Sequence, residues 1–459
     1  MQEEIRIIIT DDFYLVPLCL LVLYIIAFRI KSKYRRTELD KYFIPALTFR
    51  FAATVLYTLV LGYYYKGGDT TMFFRAVLDL HIAVTDDYSL LNDIYLKAKL
   101  DPNEQLTSYF MYDGTGITHY YMYQVSNYMV PRFALPFSFI FAKSYLCISF
   151  CLSFFAFGGC WRIFKLFYSF YPHLHKKIAI ATLFLPSVLF WSSSLIKDSI
   201  TMGALGFFIY SFYQLFFKKE KVVSNLIIVS LSAFLLFYIK PYIILCALPA
   251  FLVWAYMLLN RYIKDKGVRM FAAIIFSLST IAASVYFMQK IASSEIASQY
   301  ATQNILKALS AQQSTYSVVE DAGSAFKVTQ IDNSVGGIIS LFPLGIMNSL
   351  FRPFPWEVRS PIMLFTALEA LLFLWLTFSF FRHTSFSKFR KILSANPPVV
   401  FCLIYGVLFA GLVGMSTLNF GTLARYKIPA LPFYLIMLFV ILDKAGKASP
   451  DYIVHKKLF

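Results

Sequence analysis

Uncharged apolar runs alternate with short basic clusters along most of the chain. The runs are continuous rather than alternating, and most reach roughly 20 residues, the length that a helix needs to cross the hydrocarbon core of a bilayer. This pattern predicts an all-α, polytopic membrane protein with about eleven transmembrane helices. The expected spans are Phe13–Ile30, Tyr42–Tyr64, Phe133–Phe157, two within Ile178–Phe217, Val222–Ile239, Tyr242–Leu259, Met270–Met288, Ile362–Phe381, Val399–Met415 and Pro429–Leu442.

The distribution of charge predicts how these spans are oriented. Clusters of Lys and Arg follow every second span, as at residues 31–36, 218–221 and 444–457. Because cytoplasmic loops retain the excess of Lys and Arg, the alternation places the N-terminus outside and the C-terminus in the cytoplasm. The net charge of +17 therefore reflects topology, and no nucleic-acid partner is expected. The layout is typical of a multi-pass protein of the bacterial cytoplasmic (inner) membrane, with the lipid bilayer as a partner.

Two longer polar stretches interrupt the apolar pattern. Residues 66–132 and 289–361 are too mixed to cross the bilayer, and we expect two large outer loops with short surface helices. The second includes a re-entrant or interfacial segment at Gly336–Leu350. We expect residues 1–459 to form a single integral-membrane domain. The six cysteines lie within apolar runs and lack metal-ligand spacing, so no cofactor is predicted and a divalent metal is left open.

The fourth and fifth spans meet at a charged hairpin tip, Phe190–Ser199. Lys197 and Asp198 interrupt an otherwise uncharged stretch there. A charge costs several kcal/mol in lipid, so the two side chains must lie at the membrane surface or in a protein-lined cavity. Lys197 would neutralise a phosphate, since a lysine ammonium is a compact point charge. The alternative is an exposed ion pair between the two side chains, which stabilises little.

A second candidate lies directly after the second span. Gly67 and Gly68 permit a tight turn out of the membrane, and Asp69 follows them. As a structural residue, Asp69 would cap a helix from Thr70 to about Val84. As a functional residue at the water interface, it would accept a proton from an acceptor hydroxyl. The two roles are compatible.

Three further segments have charges that the topology does not require. Lys240, between the sixth and seventh spans, either snorkels to the interface or binds a ligand. Arg352 offers a planar fork that fits phosphate, and Glu357 is either its ion partner or a second carboxylate. Trp356 would stack on a sugar or lie in the aromatic belt. Arg425, before the last span, is either a ligand or an interfacial anchor.

The acidic residue of Gly68-Asp69, at the start of the first outer loop, combines with many spans and outward-facing charges. This layout resembles the GT-C class of membrane glycosyltransferases, which includes the dolichyl-phosphate-mannose protein mannosyltransferases and the bacterial aminoarabinose transferase. The resemblance implies transfer of a sugar from a polyprenyl-phosphate carrier to a glycan, lipid or protein acceptor on the periplasmic side, in cell-surface polysaccharide assembly. The class often has a second acidic residue where Thr70 stands here.

This hypothesis assigns a role to each outward-facing charge. Asp69 would be the catalytic base, and basic residues would stabilise the charge that develops on the leaving phosphate. The residues expected to bind the substrate phosphate are Lys197, Lys240, Arg352 and Arg425, and those expected to bind the sugar or the acceptor are Trp356, Glu357 and Asp198.

Two other functions stay open. An O-antigen-type polymerase or ligase acting on undecaprenyl-diphosphate glycans would also depend on outward arginines, here Arg352 and Arg425. A flippase or transporter for lipid-linked sugar would need polar residues near the middle of several spans. We expect the charges of this chain to lie at span ends, which favours an enzyme over a transporter.

Overall fold

A computed structural model describes residues 7–65, 67–97, 99–101, 104–110, 117–260, 265, 267–268, 335–417 and 419–446. The regular elements of these residues are helices, which confirms the predicted all-α class. The predicted eighth span, Met270–Met288, and most of the predicted second outer loop lie outside the described residues.

The α-helices are numbered here in chain order. The first ten are α1 (Asp12–Lys31), α2 (Asp40–Leu59), α3 (Asp69–Asp86), α4 (Leu90–Leu96), α5 (Gln105–Phe110), α6 (Ile117–Met122), α7 (Val125–Ile140), α8 (Tyr145–Phe170), α9 (His175–Ala179) and α10 (Pro186–Trp191). The others are α11 (Lys197–Tyr213), α12 (Val222–Ile239), α13 (Tyr242–Leu259), α14 (Val335–Phe351), α15 (Pro361–His383), α16 (Phe386–Ala395), α17 (Pro397–Ser416), α18 (Phe420–Tyr426) and α19 (Leu431–Ala445). The π-helical segments Val60–Tyr64, Ile180–Phe184 and Gln214–Lys218 continue α2, α9 and α11.

Nine helical segments of the described chain are long and apolar enough to cross a membrane. They correspond to the predicted first to seventh, ninth and tenth spans, and the pair α18 and α19, bent by 66°, corresponds to the eleventh. Large apolar side chains point outward, such as Leu21 and Phe28 on α1 and Val223 on α12, which suits a lipid surrounding. The chain is therefore a multi-pass membrane protein, whereas eleven spans and their orientation stay predictions.

The boundaries predicted for the third span, Phe133–Phe157, are wrong. The apolar run is divided between α7 and α8, and the span is α8 alone. The break falls where Ala142 and Lys143 adopt left-handed backbone conformations, with φ of 45° and 63°. The next residue, Ser144, donates a 2.5 Å hydrogen bond to the buried carboxylate of Asp12. A polar anchor thus fixes a turn that hydrophobicity alone does not reveal.

The chain divides into two compact units, which we describe separately. Unit 1 comprises residues 1–165 and 189–240, and unit 2 comprises residues 166–188 and 241–459. The core of unit 1 lies among α3, α7, α8, α11 and α12, and its buried members include Phe73, Tyr128 and Leu152. Helix α3, from the predicted first outer loop, thus supplies one wall of this core.

Aromatic packing organises the core of unit 2. The ring of Phe401 on α17 lies 4.6 Å from the ring of Phe251 on α13 and 5.8 Å from the ring of Phe433 on α19. Helix α14 packs on the same α17, where Gly345 faces Gly414 with so little space that a Cβ on either glycine would meet the backbone of the other helix. Small residues let helices approach this closely in membranes.

We predict that Gly206→Ala destabilises unit 1. Helices α8 and α11 cross at Gly159 and Gly206, and a Cβ at Gly206 would overlap the carbonyl group of Gly159. Because backbone on both sides must move, we expect a loss of about 1–3 kcal/mol and a lower Tm in detergent-solubilised protein. The control is Gly62→Ala, where the added methyl would lie 3.6 Å from Ile7 Cδ1. Equal Tm values for the two variants would contradict this packing.

Candidate functional site

The hairpin tip of unit 1 is a buried turn rather than an exposed one. Ser192, Ser193 and Ser194 are fully buried between α10 and α11. The turn is closed by Ser199, whose Oγ donates to the Ser194 carbonyl at 2.6 Å and accepts from the Ser194 N–H at 3.1 Å. Side-chain hydroxyls therefore satisfy backbone groups that water does not reach.

Asp198 forms a buried ion pair with Lys240. The Lys240 Nζ lies 2.5 Å from Asp198 Oδ1, and the two side chains are 5% and 0% exposed. The predicted alternative of an exposed pair between Lys197 and Asp198 is wrong, because Lys197 Nζ instead donates to Ser126 Oγ at 2.9 Å. Lys240 does not snorkel, because its side chain is directed into the protein.

Asp69 is the first residue of α3, so the predicted helix after the second span is confirmed. Gly67 and Gly68 make the turn with φ of 132° and 147°, values that favour glycine. The predicted cap is wrong by one residue: the helix begins at Asp69 with Gly68 as its N-cap, and the Thr71 side chain accepts the Gly68 N–H at 3.2 Å. The half-buried carboxylate of Asp69 is thus not needed for that cap.

Thr70 joins the start of α3 to the serine turn. Its Oγ1 donates to the Leu195 carbonyl at 3.0 Å and lies 2.8 Å from the Tyr145 hydroxyl. The Tyr145 hydroxyl in turn lies 2.8 Å from Ser194 Oγ. Two segments far apart in sequence, Asp69-Thr70 and Ser194–Asp198, therefore lie side by side, and Lys240 contacts the second of them through its ion pair with Asp198.

Arg50 belongs to this polar cluster and was missed by the sequence analysis. It lies on α2 and is 1% exposed. Its Nη1 donates to the Ser192 carbonyl at 2.9 Å and to Ser192 Oγ at 2.8 Å, and its Nη2 lies 3.4 Å from Cys160 Sγ. The signal was present: an ionisable residue inside an apolar span is costly and marks a polar interior.

In unit 2, Arg352 and Glu357 form an ion pair, which confirms one of the two roles predicted for Glu357. Arg352 Nε lies 3.0 and 3.1 Å from the two carboxylate oxygens, and its Nη2 also contacts Oε1. Arg352 Nη1 donates to Asn348 Oδ1 at 3.2 Å. The Phe354 N–H donates to Glu357 at 2.8 Å. The proline-rich segment is thus folded around one carboxylate.

Trp356 and Arg425 are the more accessible candidates of unit 2. The Trp356 side chain is 80% exposed, and its ring stacks on Phe354 at 4.9 Å. Arg425 is half-buried in α18, with its guanidinium 6.0 Å from the ring of Tyr426. The Asn419 side chain caps that helix by accepting the N–H groups of Gly421 and Thr422. Interfacial anchoring and ligand binding both remain compatible with these positions.

Two buried charges of unit 2 were also missed as site residues. Lys427, at the bend between α18 and α19, is fully buried, and its Nζ donates to the Arg352 carbonyl at 3.1 Å. Glu369 lies within α15 and is 6% exposed. Glu369 and Arg50 lie inside membrane-spanning helices, so the expectation of charges only at span ends was wrong.

The predicted site residues therefore fall into two groups. Asp69, Lys197, Asp198 and Lys240 belong to unit 1, and Arg352, Trp356, Glu357 and Arg425 belong to unit 2.

Among the described residues, no group of three or more His, Cys, Asp or Glu side chains is placed to hold a metal ion. No family model, curated protein or solved structure matches this chain.

We predict strong coupling between Asp198 and Lys240. Removing one partner of a buried ion pair leaves an uncompensated charge and costs about 3–5 kcal/mol, whereas removing both costs less than the sum. We expect Asp198→Asn and Lys240→Met each to lower the Tm strongly, and the double variant to recover much of the loss. The matched control is the exposed pair Glu38 and Lys41, where coupling should stay within about 1 kcal/mol. Additive Tm changes at Asp198 and Lys240 would refute the pair.

We also predict an acid transition in the Arg352–Glu357 segment. Burial raises the pKa of the Glu357 carboxyl, but hydrogen bonds from Arg352 and from the Phe354 N–H outweigh burial and lower the pKa. A lowered pKa stabilises the folded state above the unfolded-state pKa, and this contribution disappears as pH falls through the folded-state pKa. We therefore expect the segment to loosen below about pH 4.

The exposed ring of Trp356 reports this transition. We expect the difference in fluorescence between wild type and Trp356→Phe to change in acid, and the change to vanish in Glu357→Gln. A transition of the same midpoint in the Glu357→Gln protein would show that another group is responsible.

Proposed function

We propose that this protein is an integral-membrane glycosyltransferase that transfers a sugar from a polyprenyl-phosphate carrier to an acceptor on the outer side of the membrane. The main support is the meeting of three distant segments in unit 1. The hydrogen bond between Thr70 and Leu195 and the ion pair between Asp198 and Lys240 place Asp69 and Lys197 at the edges of one buried polar cluster. Each segment was selected from sequence for the same site.

The proposed chemistry uses groups from these segments. Asp69 takes the proton of the acceptor hydroxyl while the acceptor oxygen bonds to the anomeric carbon of the sugar. The bond between that carbon and the phosphate oxygen breaks, and its electron pair leaves with the phosphate. Lys197 stabilises the charge that develops there. Lys240 and Asp198 neutralise each other, so in this proposal they hold the end of α12 against the start of α11.

Unit 2 supplies a second set of groups for the same substrate class. The guanidinium of Arg352 is already bound by Glu357 and Asn348, so a phosphate would share it with the carboxylate or displace it. Trp356 offers an exposed aromatic face on which a sugar ring or a lipid headgroup would stack. Arg425 provides a further positive charge near the bend between α18 and α19. An O-antigen-type polymerase or ligase would use the same two arginines.

A transporter or flippase for lipid-linked sugar is a second candidate, because the charges are not confined to span ends. Arg50 and Glu369 are buried within membrane-spanning helices, and intramembrane ionisable residues often mark substrate pathways. Two helices of unit 2 are also interrupted, at Leu185 and at the 66° bend after α18. Broken helices are frequent at transporter binding sites.

We predict that Asp69→Asn abolishes sugar transfer. A positioned general base typically contributes about 10²–10⁴-fold, so the rate should fall by at least a hundredfold at normal protein levels. The assay is product formation, read by mass spectrometry, in proteoliposomes that contain a polyprenyl-phosphate sugar and extracted acceptor glycans. The control is Asp86→Asn, at the exposed far end of the same helix, which should retain wild-type rates.

Two results would overturn this proposal. Full activity of Asp69→Asn would show that Asp69 is not the catalytic base. If Arg352→Ala and Arg425→Ala were inactive in addition, an O-antigen-type polymerase or ligase would be favoured. Movement of the lipid-linked sugar across the bilayer without product, at wild-type protein levels, would favour the transporter.

A further inference from the structure

Helix α16 is a short connection between two membrane-spanning helices of unit 2. Helices α15 and α17 are both long and apolar enough to cross a bilayer, and residues 384–396 alone separate them. Side chains fix both ends of α16: Ser385 Oγ accepts the Lys388 N–H at 3.4 Å, and Asn396 Nδ2 donates to the Ile392 carbonyl at 2.7 Å. Because both of its neighbours enter the bilayer, α16 lies close to one membrane surface.

One side of α16 is apolar and only partly covered by the protein. Phe386, Phe389, Ile392 and Leu393 follow one another at the spacing that places them on one helix face. Ile392 is 2% exposed, and the ring of Phe389 lies 5.4 Å from the ring of Phe380 on α15. Phe386, in the first turn, is 79% exposed. The protein therefore covers the later part of this face and leaves its beginning open.

A second exposed phenylalanine lies near the open end of that face. Phe381, in the last turn of α15, is 71% exposed, and residues 382–385 alone separate it from Phe386. Large aromatic side chains are unfavourable in water, but they are frequent at the boundary between the headgroups and the acyl chains of a bilayer. The corner between α15 and α16 is therefore suited to that boundary.

The other side of α16 is basic. Lys388, Arg390 and Lys391 are exposed, and within the described part of the chain they form no ion pair. Arg382 adds a further exposed charge at the end of α15. Residues 370–442 contain no Asp or Glu, so no acidic residue nearby in sequence balances these charges. A ligand with negative charge would complement this surface.

The basic side and the open aromatic corner together select the occupant. An anionic phospholipid has a negative headgroup for the first and acyl chains for the second. In the orientation predicted from charge, this connection faces the cytoplasm, where the leaflet has a negative surface potential. We propose that Lys388, Arg390 and Lys391 bind the headgroups of anionic phospholipids while Phe386 inserts among their acyl chains. This surface uses none of the residues assigned to sugar transfer and does not depend on that reaction.

A tryptophan introduced by Phe386→Trp reports on the lipids beside α16. The full-length variant is placed in nanodiscs of phosphatidylcholine and phosphatidylglycerol, and one of the two lipids has brominated acyl chains, which quench tryptophan fluorescence on contact. The wild type, which has five tryptophans, is measured in the same nanodiscs and its signal is subtracted. The measured quantity is the ratio of quenching by brominated phosphatidylglycerol to quenching by brominated phosphatidylcholine at the same mole fraction.

We expect this quenching ratio to be at least about threefold, because each Lys or Arg near an anionic surface raises the affinity by about fivefold. In about 1 M salt the Debye length is about 3 Å, and the ratio should fall towards one. The ratio should also fall towards one when Lys388→Gln, Arg390→Gln and Lys391→Gln are combined with Phe386→Trp. The salt measurement needs no charge variant, so the test remains decisive if the combined variant fails to fold.

The matched control removes the same amount of charge from another basic cluster. Lys218, Lys219 and Lys221 are exposed between α11 and α12, with Glu220 among them. Replacing all three by Gln in the Phe386→Trp protein should leave the quenching ratio unchanged.

Three outcomes would overturn the proposal. Absence of quenching by either lipid would place Phe386 in water or against another protein. Equal quenching by the two lipids in low salt would show that Phe386 meets acyl chains without selection of an anionic headgroup. An equal fall of the ratio in the two triple variants would show that net charge, rather than α16, attracts the lipid.

Discussion

The cost of placing a charge in a low-dielectric interior governs this structure. An ionised side chain is retained inside a membrane protein only when another charge or several hydrogen bonds meet it. Asp198 meets Lys240, Arg50 meets the carbonyl and hydroxyl of Ser192, and Glu369 meets the N–H of Ser187. Each of these contacts joins segments that are far apart in sequence, so the buried charges also determine which helix ends lie together.

The same requirement explains why the candidate groups cluster in unit 1. The serine turn has backbone groups that water cannot reach, and hydroxyls from Ser199 and Thr70 satisfy two of its carbonyls. Satisfying them brings the start of α3 beside the start of α11. Thr70 therefore positions the proposed base, Asp69, which is its neighbour in the chain. Asp198 positions the proposed phosphate ligand, Lys197, in the same way.

The apolar pattern was sufficient to predict the helical class and the approximate position of eight of the nine candidate spans among the described residues, because a span depends on length and hydrophobicity alone. It failed at Phe133–Phe157, since the turn there depends on a hydrogen bond between Ser144 and the distant Asp12. It also failed to pair Asp198 with Lys240, because a partner 42 residues away is selected by tertiary packing. Arg50 and Glu369 were visible as charges in apolar runs, but their importance follows from their burial.

The most direct test of the account is an experimental map of the protein in lipid nanodiscs with a polyprenyl phosphate added. We expect Lys240 paired with Asp198, the start of α3 against the serine turn, and phosphate density within hydrogen-bond distance of Lys197. Phosphate density on the opposite side of the membrane from Asp69, or Lys240 directed into lipid and away from Asp198, would contradict the account.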